Sequence, residues 1–369
     1  MTSLYLPALM VVVAVAARAQ DTLPADVFPD SRNRLPSLGA DAPTGVAGII
    51  AQSSGGIVRW EFALGRALSE LAILTVAREL DQPYEWSLHE LEALAVGLEP
   101  AAIEVVKHRR PLLGLGEREA AIIQIGRELI GGHALSAETY ARAEGLLGRT
   151  NMVDIIMLMG EYAEDGVRLT AFNQHMPPGW RQFLPLPFEM PGDIHPDSRS
   201  RLPYLRNETR RESATPPLYG RGLAPEGTGP GQITRRSPSL EALEASVGPR
   251  LLRLGSLIAA RELDDVYTWT ISEIAARDDG LEAAVIDVVR QRRPVAALPD
   301  GDAALIEFGR QLLTDHRVEP STYARLLALF GETNLVGFVN LFARHASDAA
   351  LLIAFQQHLP AGQAPLLQR

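Results

Sequence analysis

The sequence of 369 residues predicts an all-α fold made of two tandem helical modules. Apolar residues recur at intervals of three or four along most of the chain, and the alternating pattern of strands is nearly absent. The chain also repeats itself, since Ala-Arg-Glu-Leu-Asp at residues 77–81 recurs at residues 260–264, a shift of 183 positions. A long repeat of this kind indicates a duplicated structural unit.

The predicted helices of the first module begin and end at recognisable residues. They cover residues 64–80, 83–96, 100–107, 117–130, 136–147 and 152–172. Pro83 suits the first turn of a helix, and Gly97 suits its end. Ser136 is a plausible N-cap, and the preceding glycines at residues 131–132 stop the helix before it.

The same shift of 183 holds over about a hundred residues, so we predict modules at residues 21–190 and 191–369. Within each module the helical repeat is preceded by Pro-Asp-Ser-Arg-x-Arg-Leu-Pro, at residues 29–36 and 196–203, where the shift is 167. The sixteen extra residues fall in the stretch 206–239, whose Pro, Gly and Thr content predicts a linker. Other pairs related by the shift are Tyr84/Tyr267, Trp86/Trp269, His133/His316, Tyr140/Tyr323 and His175/His358.

Composition excludes several classes of function. The net charge of -10, without any Lys/Arg block longer than two residues, argues against a nucleic-acid partner. Cysteine is absent, which excludes disulfides, thiolate metal ligands and thiol redox chemistry. Hydrophobic residues make up 46% of the chain, enough for each half to bury a core.

The first twenty residues predict a signal peptide and therefore an exported protein. An apolar run at residues 8–17 ends in Ala17-Arg18-Ala19, a pattern suited to signal peptidase. The run is too short to cross a bilayer of ~30 Å, and no later segment predicts a membrane span. Because no Lys or Arg precedes the run, an apolar N-terminal strand or a wrongly assigned start remains the alternative.

Glu85 and His89 are the first candidates for chemistry, because residues four apart lie on one face of a helix. Glu70, on the preceding predicted helix, could reach the same cleft. A carboxylate beside an imidazole tunes its pKa and fixes its tautomer, which allows proton transfer near neutral pH. On spacing alone, a solvated surface pair of little energetic weight is the competing interpretation.

The order Glu70, Gln82, Glu85, His89 resembles the Glu…Cys-x-x-Cys-x-x-x-His signature of the alkyl hydroperoxidase D branch of the carboxymuconolactone decarboxylase family. Both cysteine positions differ here, being Gln82 and Glu85. The decarboxylase branch is more similar, since it has a Glu at the second cysteine position and keeps the His. The run Tyr84-Glu85-Trp86-Ser87-Leu88-His89 is also similar to that of cysteine-free members.

The second copy provides a comparison within the chain. At the shift of 183, Glu70, Gln82, Glu85 and His89 become Arg253, Asp265, Thr268 and Ser272. All four candidate positions change, while the aromatic pairs stay. We therefore interpret the retained residues, including the histidine pairs, as scaffold, and the second module as a degenerate partner of the first.

The resemblance implies loss of carbon dioxide from a small carboxylated unsaturated lactone, without a metal or cofactor. It implies that His89 is the general acid/base, with Glu70 as its relay and Glu85 exchanging the proton on the other side. Arg78, Arg66 and Gln82 are the candidates for substrate binding, since an arginine fork matches a carboxylate. It also implies a homo-oligomer that acts on a small organic acid.

Two alternatives to a decarboxylase remain. A non-catalytic binding or assembly protein would keep the helical scaffold, and the second module shows that the scaffold tolerates loss of the four residues. A peroxidase of the alkyl hydroperoxidase D type is disfavoured, because the chain has no thiol to carry that chemistry.

Overall fold

A computed structural model describes residues 23–176, 180–186, 192–203 and 228–368. This part of the chain contains fifteen helices and no strand, only two isolated β-bridges, so the predicted all-α class is confirmed. The predicted signal peptide and residues 206–227 of the predicted linker lie outside the described residues, and the remainder of that linker includes a short helix. The helices are α1 Gly45–Ile50, α2 Val58–Glu61, α3 Arg66–Glu79, α4 Pro83–Ala95, α5 Pro100–Lys107, α6 Glu117–Leu129, α7 Ala137–Leu147, α8 Arg149–Ala171, α9 Pro230–Thr234, α10 Leu240–Val247, α11 Pro249–Glu262, α12 Val266–Asp278, α13 Ala283–Arg290, α14 Asp300–Leu313 and α15 Pro320–Ala354.

Helix ends in the first half follow the local sequence closely. Pro83 opens α4, and the side chain of Gln82 caps it by accepting the N–H of Tyr84. Ser136 caps α7 through the N–H of Thr139. The short helices α1 and α2 are not predicted, because four to six residues give no readable periodicity.

The helix bounds repeat at the shift of 183. Helices α3, α4 and α5 correspond residue for residue to α11, α12 and α13. Helix α15 corresponds to α7 and α8 together, and it contains Gly331 at φ 75° where Gly148 separates the earlier pair at φ 82°. A glycine adopts this left-handed backbone without a Cβ penalty, so the two halves bend at the same place.

Helix α3 lies at the centre of the first half, with α4, α5, α6 and α8 packed around it. Ten of its fourteen residues are buried. Gly126 of α6 lies so close to α3 that a Cβ there would be 2.4 Å from a Thr75 methyl group. Gly309 meets Ile258 at the same distance in the second half, so close helix contact is part of the repeated design.

The two halves join along α8 and the second part of α15. Arg168 of α8 donates to Asn340 at 2.7 Å, and Gly160 brings α8 close to Ser347. Between the two halves a cavity of about 30 Å³ is lined by apolar residues of both and by His133 and His316. Burial lowers the pKa of His316 to about 4, assisted by nearby positive groups.

The segment before each half docks on the opposite half. Arg34 is buried and donates to Leu135 of its own half and to Ala354 at the end of α15, at 3.0 and 2.9 Å. Arg201 likewise donates to Ala171 at the end of α8 and to Val318 of the second half. We call residues 29–36 and 196–203 the exchanged arms. Each arginine satisfies carbonyls in both halves, so the arms fasten the halves together.

One described helix, Pro320–Ala354, is long and apolar enough to cross a membrane by length and composition. Gly331 interrupts its helical backbone, and most of the residues after the break are buried against the rest of the fold.

Arg34→Ala should lower the free energy of unfolding by about 3 kcal/mol or more, because two buried carbonyls lose their donor. Urea denaturation would measure it. Arg317→Ala is the matched control, since Arg317 is 73% exposed and forms only a surface ion pair. Equal stability of the two variants would show that the arm does not fasten the halves.

Candidate active site

The turn at residues 80–82 places α4 against α3 and brings four acidic or basic side chains together. Asp81 adopts a left-handed φ of 50°, and the Gln82 cap fixes the start of α4 directly after it. Glu85, His89 and Glu92 then follow at intervals of four and three on one face of α4. That face meets Glu70 of α3.

His89 lies between two carboxylates. Its Nδ1–H donates to Glu70 Oε2 at 2.7 Å, and its Nε2 lies 3.4 Å from Glu85 Oε2. All three side chains are buried, with exposed fractions of 5% or less. The structure therefore brings together the three residues that the sequence suggested for acid/base work. With both ring nitrogens facing carboxylates, the imidazole is held in its doubly protonated form.

The charges around His89 account for its raised pKa. Burial alone lowers the pKa of His89, but the charge of Glu70, the hydrogen bond to it and the contact with Glu85 outweigh burial and raise the pKa to about 9. Burial raises the pKa of Glu70, yet His89, Arg59 and Arg66 together hold it below its usual value. His89 is thus an acid at neutral pH, and Glu70 stays ionised.

Two arginines complete the cluster. Arg59 Nη2 donates to Glu92 Oε1 at 2.9 Å, and Arg66 Nη2 lies 3.3 Å from Glu70 Oε1 and 3.4 Å from Glu92 Oε2. Both guanidinium groups lie over the ring of Trp60, 4.7 and 4.5 Å from its centroid. Three carboxylates therefore face two arginines and a protonated His89, which balances the buried charge.

Three residues of this cluster have the spacing of metal ligands. Ligand atoms of Glu70, His89 and Glu92 lie within 4.8 Å of one another, a spacing that suits a metal site and that the sequence did not suggest. However, Arg66 Nη2 already bridges the two carboxylates. A guanidinium thus supplies the positive charge that a metal would bring, so the residues as placed do not favour a metal.

Helix α8 closes the other side of His89. The ring of Tyr162 meets the His89 ring edge-on at 4.9 Å. Asp165 and Glu161 lie on the same helix, three residues after and one before Tyr162. Burial, and then the charge of Glu85, raise the pKa of Asp165 to about 7, while Arg168 opposes the rise. Asp165 is 24% exposed and can exchange protons with water.

Of the suggested substrate-binding residues, the structure places Arg66 at the cluster and Arg78 and Gln82 elsewhere. Arg78 donates to the backbone oxygen of Lys107 at 2.7 Å and pairs with Asp81. Gln82 donates to Thr170 and lines a cleft of about 690 Å³ between the halves, together with His175 and His316. Gln82 therefore acts mainly as the helix cap, and Arg78 as a tie to the end of α5.

Arg59, Trp60, Glu92, Tyr162 and Asp165 belong to the cluster but were not identified from the sequence. Glu92 could have been identified from the sequence, because it lies three residues after His89 on the same face of α4. Arg59 and Trp60 lie on the short helix α2, and the two α8 residues are distant in sequence. No spacing rule connects them to His89.

Comparison with the second half distinguishes the residues that pack the helices from the residues of the charged cluster. Trp86 Nε1 donates to Glu90, which also binds Lys107 at 2.8 Å. Trp269, Glu273 and Arg290 repeat this arrangement in the second half. At the cluster positions, by contrast, Glu92 becomes Ala275 and Tyr162 becomes His345, in addition to the changes already noted. The buried charge cluster is therefore a property of the first half.

The chain matches no protein-family model, and neither a curated protein nor a solved structure matches it.

His89 should remain protonated through neutral pH, and its ring resonances should titrate near pH 9 in an NMR experiment. His175 is the internal contrast, since burial and nearby arginines lower its pKa to about 4. Because the folded pKa of His89 exceeds its unfolded value, the stability from its protonation is present below about pH 6.5. It is lost as the pH rises toward 9, at up to ~1.4 kcal/mol per pH unit. Titration near pH 6.5 would contradict the geometry.

Proposed function

We propose that the chain is an acid/base enzyme similar to the carboxymuconolactone decarboxylases, acting on a small organic acid. The observation that carries the proposal is the buried His89, paired with Glu70 at 2.7 Å and facing Glu85 at 3.4 Å. A buried acid with a strongly shifted pKa is typical of catalytic sites. The similarity of the Glu70–His89 segment to that family supports the same assignment.

The proposed reaction breaks the bond between the substrate ring and its carboxylate and releases carbon dioxide. The electron pair left behind enters the conjugated lactone, and His89 delivers a proton to carbon. Loss of carbon dioxide from a carboxylate therefore consumes one proton per turnover. Glu70 keeps its charge throughout and holds the imidazole in place.

Glu85 and Asp165 are suited to resupply that proton. Glu85 faces the second ring nitrogen of His89, and its charge acts on Asp165, whose pKa of about 7 lets it take a proton from water at neutral pH. Asp165 is partly exposed, whereas His89 is only 3% exposed. The proposed route runs from water through Asp165 and Glu85 to His89.

The competing function is a non-catalytic binding or assembly protein. It is supported by the closed, charge-balanced character of the cluster, in which His89 and Glu85 are 3% and 5% exposed. A purely structural cluster would influence stability without influencing turnover. The experiments below separate the two functions on that basis.

His89→Ala should lower carbon dioxide release from a carboxymuconolactone-type acid by about 100-fold or more, the usual weight of a general acid. Release would be followed with labelled carboxylate, and thermal unfolding would verify the fold. His108→Ala is the matched control, since His108 forms an exposed pair with Glu104 at the same spacing of four. Unchanged turnover in folded His89→Ala would favour the non-catalytic function.

Glu70→Gln should move the alkaline limb of the pH–rate profile to lower pH. The charge of Glu70 raises the pKa of His89, so its removal lets His89 lose its proton earlier. Activity at pH 6 should fall much less than activity at pH 8. A uniform loss at every pH would indicate that Glu70 only supports the fold.

A further inference from the structure

Two arginines that lie over one indole ring form a partly exposed edge of the cluster. Arg59 and Arg66 each have 28% of the side chain exposed, although their charged partners Glu70 and Glu92 are buried. The arginines are thus the part of the cluster that reaches solvent beside α2 and the start of α3, whereas Asp165 reaches it from α8. A dissolved molecule that approaches His89 from this side meets them first.

These arginines use only part of their hydrogen-bonding capacity. The contacts of each to carboxylates run through Nη2, and each Nε–H is shielded from water without a hydrogen-bond partner. A shielded donor without an acceptor costs free energy, so such groups call for an explanation. A carboxylate that binds side-on to a guanidinium takes the Nε–H and one Nη–H together.

The start of α3 adds positive potential at the same place. Helix α3 begins at Arg66 with Gly65 as its N-cap, and no side chain caps it. The first N–H groups of a helix and its dipole favour an anion. The indole ring of Trp60 lies against both guanidinium groups and holds the two positive charges side by side.

We infer that Arg59, Trp60 and Arg66 form a binding site for a small planar carboxylate, close to His89. We call these three residues the carboxylate site. The inference rests on the proposed function in one respect, since it identifies this site as the place that anchors the substrate. Glu92 is then the internal competitor, because its carboxylate contacts Nη2 of both arginines.

The probe is 2-furoate, a planar ring carboxylate, with furan-2-carboxamide as its neutral counterpart, titrated into the full chain by calorimetry. Furoate should bind with one-to-one stoichiometry and the carboxamide should not. Arg59→Gln and Arg66→Gln should each weaken furoate binding about tenfold or more. Arg253→Gln is the matched control, since Arg253 replaces Glu70 in the second half and pairs with Asp279 there.

Glu92→Gln should strengthen furoate binding several-fold, because it releases both arginines from their competitor. A purely structural role for the arginines would not produce this gain. If Arg66→Gln fails to fold, the double variant Arg66→Gln/Glu92→Gln removes the charged pair together, and it should bind furoate less tightly than Glu92→Gln. Failure of wild-type protein to bind furoate, or equal affinity in the arginine variants, would overturn the inference.

The two proposals can fail separately. If furoate binding depends on the arginines but no tested acid releases carbon dioxide, the carboxylate site is supported and the decarboxylase proposal fails. If carbon dioxide release depends on His89 but furoate affinity does not depend on Arg59 and Arg66, the decarboxylase proposal is supported and the carboxylate site fails.

Discussion

The hydrogen bond between His89 and Glu70 is the interaction on which the rest of the first half's chemistry depends. It links α3 to α4 and sets the protonation state of both partners, since each ionised group stabilises the other. A buried ion pair of this kind is tolerated only when its remaining polar atoms find partners. Arg59, Arg66, Glu85 and Glu92 supply them, so a change of one charge in the cluster alters the electrostatic environment of the others.

The duplication distinguishes this cluster from the scaffold that carries it. The bond from Trp86 to Glu90 recurs as the bond from Trp269 to Glu273, each held by a basic residue of the following helix. That arrangement stabilises the helix packing in both halves. Of the acidic and basic residues around His89, Asp165 recurs as Asp348. Glu70, Glu85 and Glu92 are replaced by Arg253, Thr268 and Ala275, although α3 and α4 have the same bounds as α11 and α12 at the shift of 183. Helix packing and the charged cluster therefore depend on different residues of the same helices.

Much of the fold was predictable because its signals are local. Pro83, Gly97 and Ser136 mark helix ends through the chemistry of one or two residues, and the ends of α5 match the prediction. The contact of Glu70 with His89 could also be predicted, since two consecutive helices with apolar faces pack together. Arg59 and Tyr162 were not, because their approach to His89 depends on how α2 and α8 cross the central helix. Nor could the sequence show that the first arm docks on the opposite half, because Arg34 and Ala354 lie 320 positions apart.

The exchanged arms bear on how such a chain can arise. Arg34 completes the end of α15, and Arg201 completes the end of α8, so a half on its own would present an unfilled groove and a loose arm. Two identical halves would satisfy each other by trading arms as a symmetric dimer. Gene fusion would then make that partnership permanent within one polypeptide. Once both halves lie in one chain, a cluster of charged residues can be kept in one half while the corresponding positions of the other half change.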